Sequence, residues 1–366
     1  MTPPRNIALV HDWLTGMRGG EKVLEVLCEL FPGATLFTLV HRKGSCSPTI
    51  ERMKIETSIL QRIPFGQRHY QHFLPLFPLA AKSLDLRRFD LVISSSHAAA
   101  KGVRVRGGAQ HICYCHTPMR YIWDQYEQYF GRGRASLPVR LAMGMVRGYL
   151  QSWDVKTAKG VHHFIANSEN VRQRIKRIYE RDSVVIYPPA DVEKFSLSME
   201  DGGYFLAASA LVPYKRIDVA VEAFNQLGER LVIVGAGPEE KKLKAIAKRN
   251  IEFIGWTGDD DLRNYYAGCR ALIFPGEEDF GIVPVEAMAC GKPVIAFGKG
   301  GALETVVEGK TGLFFQELSP DSLAQKIGEF RDMHFDAQAI RNHSEKFGRR
   351  RFRDEVARVI NEIAGL

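Results

Sequence analysis

The sequence lacks any apolar run long enough to cross a bilayer, and its first residues lead into a strand-like run instead of a signal peptide. Its six cysteines show neither a disulfide framework nor the C-x2-C spacing of a metal site. Zinc-finger, basic-zipper and RNA-binding aromatic signatures are also missing. These absences argue against a membrane-spanning, disulfide-stabilised or nucleic-acid-binding protein. They predict a cytoplasmic protein with reduced thiols.

What is present is a repeated alternation of short apolar runs with helical patterns in both halves of the 366 residues. This length exceeds that of a single hydrophobic core, so two domains are expected. The alternation predicts an α/β fold of two doubly wound, Rossmann-like domains, with ligands bound where the carboxyl ends of their strands face one cleft. We place a hinge at Pro188-Pro189. The predicted domains are therefore residues 1–189 and 190–344, followed by a helix over 345–366.

Charge is distributed unequally between the two halves. Residues 1–190 contain 27 Lys and Arg against 14 Asp and Glu, a net +13, whereas residues 191–366 carry a net −5. The stretch Phe130 to Trp153 combines apolar side chains with four arginines, namely Arg132, Arg134, Arg140 and Arg147. This pattern suits a basic amphipathic surface on an anionic membrane. A core helix with solvated arginines is the alternative, and the sequence alone favours neither.

Two glutamates, Glu278 and Glu286, flank a glycine-containing turn between a strand-like run and a helical pattern. The free backbone N–H groups of such a turn can receive a diphosphate or sugar hydroxyls. The plain alternative is that Glu278 is a solvated loop acid and Glu286 an exposed helix acid. Glu286 has apolar neighbours such as Val285 and Ala287, which do not favour an exposed position for it. The spacing therefore predicts a sugar-nucleotide site.

The same spacing resembles the E-x7-E signature of the retaining glycosyltransferases of family four, which have the two-domain GT-B architecture. Further segments resemble this family in its own order: 17–21, 114–120, 165–168, 211–216, 234–238 and 291–296. The resemblance covers nearly the whole chain. Segments 115–124 and 211–218 look most like bacterial and archaeal mannosyltransferases that build O-antigen and related polysaccharides.

The resemblance implies three catalytic residues. Lys215 would stabilise the leaving diphosphate, and Glu278 would hold hydroxyls of the donor sugar. His116 would lie beside the sugar and support an oxocarbenium-like transition state. No carboxylate is implied as nucleophile, because in such enzymes the leaving phosphate is thought to deprotonate the acceptor on the same face.

The resemblance also implies a set of donor-binding residues. They are Gly19, Gly20, Arg216, Phe280, Gly281, Ile282, Val283 and Glu286. Glu286 would bind the ribose hydroxyls, and the amides of Phe280, Gly281 and Ile282 would meet the sugar and distal phosphate. The pair Gly19-Gly20 precedes an amphipathic helix, and Gly20 would contact the diphosphate from the other domain.

No metal site and no cofactor besides the nucleotide-sugar substrate are expected, since the resembling family uses basic residues and helix ends at the pyrophosphate. The run Asp259–Asp261 superficially matches an acidic metal motif, but helix N-capping is the simpler account. Alternatively, these aspartates could accept hydrogen bonds from the N1–H and N2–H groups of a guanine base. In one departure, Ala210 stands where the family usually has an arginine, and Arg216 or a basic residue from another segment would compensate.

Together these features predict transfer of a hexose, mannose from GDP-mannose, to a lipid-linked oligosaccharide in polysaccharide or lipopolysaccharide O-antigen assembly at the inner face of the cell membrane. The expected partners are the nucleotide sugar, that acceptor and an anionic membrane surface, without nucleic acid. A UDP-sugar donor is the first alternative. A sugar-nucleotide epimerase of GT-B architecture and a noncatalytic basic binding module belong to other classes.

Overall fold

A computed structural model describes residues 6–133 and 135–365. The chain divides into two compact units. The first ends at Pro189 and also includes the chain from Phe352 onward, and the second is Ala190–Arg351. No helix of the described residues is both long enough and apolar enough to cross a membrane. Assignment of the acceptor and membrane side to the first domain, and of the nucleotide-sugar donor to the second, stays a prediction.

The first unit contains a sheet of seven parallel strands. They are β1 Ile7–His11, β2 Thr35–Thr38, β3 Lys54–Thr57, β4 Leu91–Ser96, β5 Gln110–Cys115, β6 His163–Ala166 and β7 Ser183–Val185. Their order in the sheet is β3-β2-β1-β4-β5-β6-β7. The chain therefore winds outward in one direction from β1 and in the other from β4, and this change of direction is where a doubly wound sheet binds ligands.

Helices connect these strands and cover the sheet. They are α1 Gly19–Leu30, α2 Pro48–Glu51, α3 Phe77–Lys82, α4 Tyr126–Phe130, α5 Leu137–Ala158 and α6 Glu169–Tyr179. Helix α1 buries Val23, Leu24 and Leu27, which recur at the spacing of one helical face. Helix α6 begins where the Ser168 hydroxyl accepts a hydrogen bond from the Val171 amide at 3.1 Å.

The second unit contains a six-stranded parallel sheet. Its strands are β8 Phe205–Ala208, β9 Leu231–Val234, β10 Ile251–Gly255, β11 Leu272–Phe274, β12 Val294–Phe297 and β13 Gly312–Phe315, in the order β10-β9-β8-β11-β12-β13. Its helices are α7 Ile217–Leu227, α8 Glu240–Ile246, α9 Asp259–Gly268, α10 Ile282–Ala289, α11 Ala302–Thr305, α12 Pro320–Arg331 and α13 Ala337–Ser344. The winding changes direction between β8 and β11. The predicted α/β fold class, two Rossmann-like doubly wound sheets, is confirmed.

The last helix, α14, is Arg349–Ala364. Phe352, Val356 and Ile360 lie in the core of the first unit, where the Phe352 ring meets the Tyr114 ring edge-on at 5.6 Å between centroids. The predicted start at residue 345 is four residues early, because residues 345–347 form a separate 3-10 turn. Burial of an aromatic ring and two branched side chains fixes this helix to the first sheet.

The stretch Phe130 to Trp153 contains both buried core residues and exposed apolar residues. Met143 and Leu150 of α5 are buried in the core, as the alternative reading expected. Four other apolar side chains of α5 are each more than half exposed and follow one another at intervals of one helical turn: Leu137, Leu141, Met145 and Tyr149. We call these four residues the α5 stripe. Arg134 of the predicted basic surface lies outside the described residues.

Candidate functional site

The structure brings Lys215 and Glu278 together at the carboxyl ends of β8 and β11. Lys215 closes a 3-10 turn after β8, and Glu278 lies in the loop after β11. The Lys215 Nζ and Glu278 Oε1 atoms are 2.5 Å apart, and the two side chains are 17% and 13% exposed. The plain reading of Glu278 as a solvated loop acid is therefore wrong. A mostly buried ion pair at this edge of the sheet places a cation and a carboxylate where ligands bind.

Glycines allow the loop after β11 to pass close to this pair. A β carbon at Gly276 would lie 2.9 Å from the Lys215 Cα, closer than real β carbons approach. On the other side, Gly301 donates its amide to the Glu278 carbonyl at 2.8 Å, and a β carbon there would strike the Phe280 backbone. Both glycines are therefore needed to hold the Glu278 loop in place.

Helix α10 begins at Ile282, directly after this loop. Gly281 has φ +90°, a conformation that favours glycine, and it turns the chain into the helix. The amides of Ile282 and Val283 belong to the first turn, where backbone N–H groups lack partners within the helix. Phe280 is buried with its ring edge-on to Phe347 at 5.5 Å. The predicted turn from strand to helix is thus formed, and it can receive an anion or hydroxyls.

Glu286 lies on the buried side of α10, so the reading of an exposed helix acid is wrong. The Tyr266 hydroxyl of α9 donates a hydrogen bond to Glu286 Oε2 at 3.1 Å. Burial, together with the neighbouring Glu286 charge, raises the pKa of Tyr266 well above its ordinary value, so the phenol stays a donor. Sequence analysis missed Tyr266, because an aromatic residue in a helix resembles a core residue.

Arg216 does not join the Lys215–Glu278 pair. Its Nε lies 3.0 Å and its Nη2 3.1 Å from the two carboxylate oxygens of Asp218 in the first turn of α7. This fork-shaped pairing uses the guanidinium within its own turn. Arg216 is therefore a weaker substitute for the family arginine at Ala210 than its position in the sequence suggested.

The predicted capping role of Asp259–Asp261 is corrected. The residue at the N-cap of α9 is Gly258, and the three aspartates occupy the first turn of the helix. Asp260 pairs with Arg263, and Asp261 accepts a hydrogen bond from the Thr257 hydroxyl at 3.2 Å. Their negative charge stabilises the positive end of the helix dipole instead of capping it.

In the first unit, His116 follows β5 and Gly20 lies at the start of α1. The predicted position of Gly19 and Gly20 before the helix is corrected, because they are its first two residues. A β carbon at Gly20 would lie 3.4 Å from His11 Cε1 and 3.7 Å from His116 Nε2. The start of α1 therefore lies within van der Waals distance of the two imidazole rings. The structure thus brings together two of the predicted residues.

His116 belongs to a cluster that sequence analysis missed. Its Nε2 lies 2.8 Å from the Ser95 hydroxyl of β4, and the same hydroxyl lies 3.1 Å from His11 Nδ1 of β1. Burial, followed by the neighbouring side chains of His97, His11 and Arg120, lowers the pKa of His116 well below its ordinary value, so the ring is neutral. The missed signal is that a polar side chain lies at the end, or next to the end, of each of these three neighbouring strands.

Asp12 directly follows β1 and anchors the loop after β4. It is fully buried and accepts hydrogen bonds from the amides of four consecutive residues, His97 to Ala100, at 2.6, 3.0, 2.6 and 2.7 Å. His97 Nδ1 lies 3.1 Å from the same carboxylate. The Asp12 carboxylate therefore fixes the loop that covers the His116 cluster.

Comparison with known families identifies the chain. The sequence model described as "Glycosyltransferase Family 4" matches residues 19–194, and the one described as "Glycosyl transferases group 1" matches residues 190–347. The chain belongs to glycosyltransferase family 4. The family resemblance stated from sequence motifs is thus confirmed, and the two matches together contain every predicted site residue.

Two curated relatives of this family 4 member cover only part of its length. An uncharacterized glycosyltransferase of Methanocaldococcus jannaschii is 31% identical over 170 residues, which are 45% of this chain and 48% of that protein. A GDP-mannose-dependent alpha-(1-6)-phosphatidylinositol monomannoside mannosyltransferase of Mycobacterium tuberculosis is 36% identical over 139 residues, which are 33% of this chain and 36% of that protein. The matched regions thus span less than half of either relative.

Among solved structures, Anabaena HepE in complex with UDP and glucose has a TM-score of 0.68 to this family 4 chain at 18% identity. The alignment covers 98% of this chain and 100% of that one. At this identity the likeness concerns the fold alone.

Proposed function

We propose that this protein is a retaining glycosyltransferase that uses GDP-mannose as donor and a lipid-linked oligosaccharide as acceptor. In the proposed reaction, the bond from the mannose anomeric carbon to the diphosphate oxygen breaks. A bond from the same carbon to an acceptor hydroxyl oxygen forms on the same face. The hydroxyl proton passes to the leaving phosphate, so the products are GDP and an extended oligosaccharide.

The Lys215–Glu278 pair is the observation that carries this proposal. Negative charge grows on the leaving diphosphate, and a fixed cation in a partly desolvated place stabilises that charge far better than one in water. Glu278 holds Lys215 in position and offers its second carboxylate oxygen to hydroxyls of the sugar. A noncatalytic basic binding module would have no leaving diphosphate for this cation to stabilise.

The nucleoside subsite is proposed at Glu286. Its carboxylate is held by Tyr266 on the buried face of α10, and two acceptor oxygens suit the two hydroxyls of a ribose. The guanine base is supported by the named donor of the mycobacterial relative and by the mannosyltransferase-like segments. The UDP bound to HepE supports the alternative, a UDP-sugar donor.

A thermal-shift panel tests the donor base. We expect GDP to raise the unfolding temperature more than UDP or ADP at equal concentration, because a ligand that binds only the folded state adds about 2.7 kcal/mol at 100 times its Kd. Glu286→Gln should reduce the GDP shift, while Lys244→Ala, which alters an exposed helix pair in the same unit, should keep it. A larger shift with UDP would favour the alternative donor, and no shift with any nucleotide would exclude the proposed function.

We further propose that the α5 stripe docks the protein on an anionic membrane, where a lipid-linked acceptor is found. Exposed apolar residues at one-turn intervals form a continuous apolar surface, and such surfaces often mark sites of contact with a membrane or another protein. The exposed face of α5 is also free of acidic side chains, since its one acid, Asp154, is fully buried against Lys101 at 2.8 Å. The net +13 of residues 1–190 adds attraction to anionic lipid.

Arg147 of the predicted basic surface has another partner. Its Nε donates to the Ile122 carbonyl at 3.0 Å, and its guanidinium carbon lies 4.0 Å from the centre of the Tyr126 ring. We therefore assign Arg147 to the fold and assign contact with lipid to the α5 stripe, together with the exposed Arg132.

Sedimentation with vesicles tests this surface. The wild type should sediment with phosphatidylglycerol-containing vesicles more than with pure phosphatidylcholine, and salt should release it, because attraction between exposed charges is screened beyond about 8 Å. Leu141→Ser with Met145→Ser should weaken binding by about tenfold or more, since a buried leucine or methionine contributes about 1.5–3 kcal/mol. Met199→Ser, an equally exposed methionine of the second unit, is the control. Undiminished binding of the double variant would show that α5 does not contact lipid.

A further inference from the structure

The Ser95 hydroxyl lies between two imidazole nitrogens. It is 3.1 Å from His11 Nδ1 and 2.8 Å from His116 Nε2. A serine hydroxyl has one proton, so it can donate to only one of these nitrogens and must accept from the other. Of the two facing nitrogens, the one that donates to Ser95 therefore carries a proton, and the one that accepts from Ser95 does not. The proton positions of His11 and His116 are coupled through Ser95.

Glu21 decides the direction of this coupling. Its Oε1 lies 3.7 Å from His11 Nε2, and its Oε2 accepts the Arg18 amide at 3.1 Å, which orients the carboxylate. Burial acts to raise the pKa of Glu21, but the neighbouring imidazoles of His11 and His97 outweigh it and lower that pKa, so the group is ionised. A carboxylate beside Nε2 favours the proton on that nitrogen. The carboxylate therefore assigns the His11 proton to Nε2 and leaves Nδ1 as a hydrogen-bond acceptor.

The remaining protons follow in sequence. Bare His11 Nδ1 accepts from the Ser95 hydroxyl, and the Ser95 oxygen accepts from His116 Nε2–H. The His116 ring, neutral for the reasons given above, then has no proton on Nδ1. Among residues 6–133 and 135–365, no side chain or amide donates a hydrogen bond to this nitrogen. It is therefore available to a ligand.

We propose that Ser95 is a positioning residue that holds His116 in the Nε2–H tautomer, so that His116 presents Nδ1 as a hydrogen-bond acceptor to a hydroxyl of the sugar substrate. The chain of contacts runs from the Glu21 carboxylate through His11 and Ser95 to His116. The contact of His116 with sugar rests on the proposed function, whereas the tautomer of His116 is a property of the protein without substrate. Other charged or titratable groups near this cluster are Asp12, His97 and Arg120.

The tautomer is measured by NMR on the full chain labelled with ¹⁵N-histidine, without donor, at pH 7.5. We expect the His116 ring to show an unprotonated Nδ1 and a protonated Nε2. His116→Gln identifies its signals. In Ser95→Ala the two tautomers should mix, and in Ser95→Thr, which keeps the hydroxyl, the wild-type pattern should return. A protonated Nδ1 in the wild type, or an unchanged spectrum in Ser95→Ala, would overturn the inference.

Ser94 provides a matched control in the same strand. It is also buried, and its hydroxyl lies 2.9 Å from Nε2 of His111, a ring outside the cluster whose pKa burial lowers to about 3. Ser94→Ala therefore makes the same chemical change beside a histidine on the other face of β4. It should leave the His116 signals as they are. If it alters them as strongly as Ser95→Ala does, the effect is a general loosening of β4 and the inference fails.

Kinetics then tests the positioning role. Ser95→Ala should lower kcat/KM by about threefold to tenfold, which corresponds to one hydrogen bond between uncharged groups. Ser95→Thr should recover most of this loss. Wild-type kcat/KM in Ser95→Ala would overturn the role. Failure of the proposed function would give a different result. The thermal-shift panel would then show no rise in unfolding temperature with any nucleotide, while the NMR result for the His116 tautomer would be unchanged.

Discussion

Replacing Lys215 with alanine should lower kcat for the proposed mannosyl transfer by about two orders of magnitude or more. Removing one group that stabilises developing charge typically costs about 10²–10³ in kcat. The Lys215 cation is fixed 2.5 Å from Glu278 in a mostly buried place, so water cannot replace it at low cost. Single-turnover rates with GDP-mannose would measure the chemical step directly.

Glu278→Gln should cause a loss of similar size, because it leaves Lys215 unpaired and removes a charged acceptor for sugar hydroxyls. The double variant should lose less than the product of the two single losses, since residues in contact are not additive. Lys244→Ala, in an exposed pair with Glu240, is the matched control and should retain full activity. Full activity in either site variant would remove that residue from the mechanism.

Asp12→Ala should lower the free energy of unfolding by about 3–5 kcal/mol. Each buried N–H group left without an acceptor costs about 1–3 kcal/mol, and water entering the cavity satisfies some of the four. The change lies in the loop anchor of the first unit and touches no residue of the Lys215–Glu278 pair. Urea unfolding followed by tryptophan fluorescence, which includes Trp13 beside His97, would report it.

The matched control is Asp85→Ala, which removes an exposed carboxylate paired with Arg87 in the same unit. We expect its urea midpoint to equal that of the wild type. An unchanged midpoint for Asp12→Ala as well would mean that water replaces the carboxylate fully. The four short amide contacts argue against that result.

Sequence patterns predicted the fold where physical rules act locally. Buried parallel strands need continuous apolar runs, so strands such as Leu231–Val234 were visible as such. Gly281 before an apolar helix indicated a turn, and the structure shows the positive φ that explains it. Glu286 was visible as an acid among apolar neighbours, which is rarely an exposed position.

Sequence patterns could not reveal partners that are distant along the chain. Ser95 is 84 residues from His11 and 21 from His116, and a serine in a strand has no marked local signature. Arg147 looked like a membrane contact because its spacing fits an amphipathic face, but the carbonyl and ring that hold it belong to another segment. Asp12 directly follows a strand, and no local pattern marks it as the anchor of a loop 85 residues further along the chain. In each case tertiary placement, which local pattern does not contain, decides the role.

The position of helix α14 at the end of the chain affects the order in which the two units can fold during synthesis. The core of the first unit includes Phe352 and Val356. The rest of that unit ends at Pro189, so it is synthesised long before these two residues. At about 5–20 residues per second, synthesis of the intervening chain takes roughly 8–30 s. The second unit is continuous and can close first. During translation the core of the first unit therefore lacks the side chains of α14 for this time, and the apolar residues that α14 covers stay exposed.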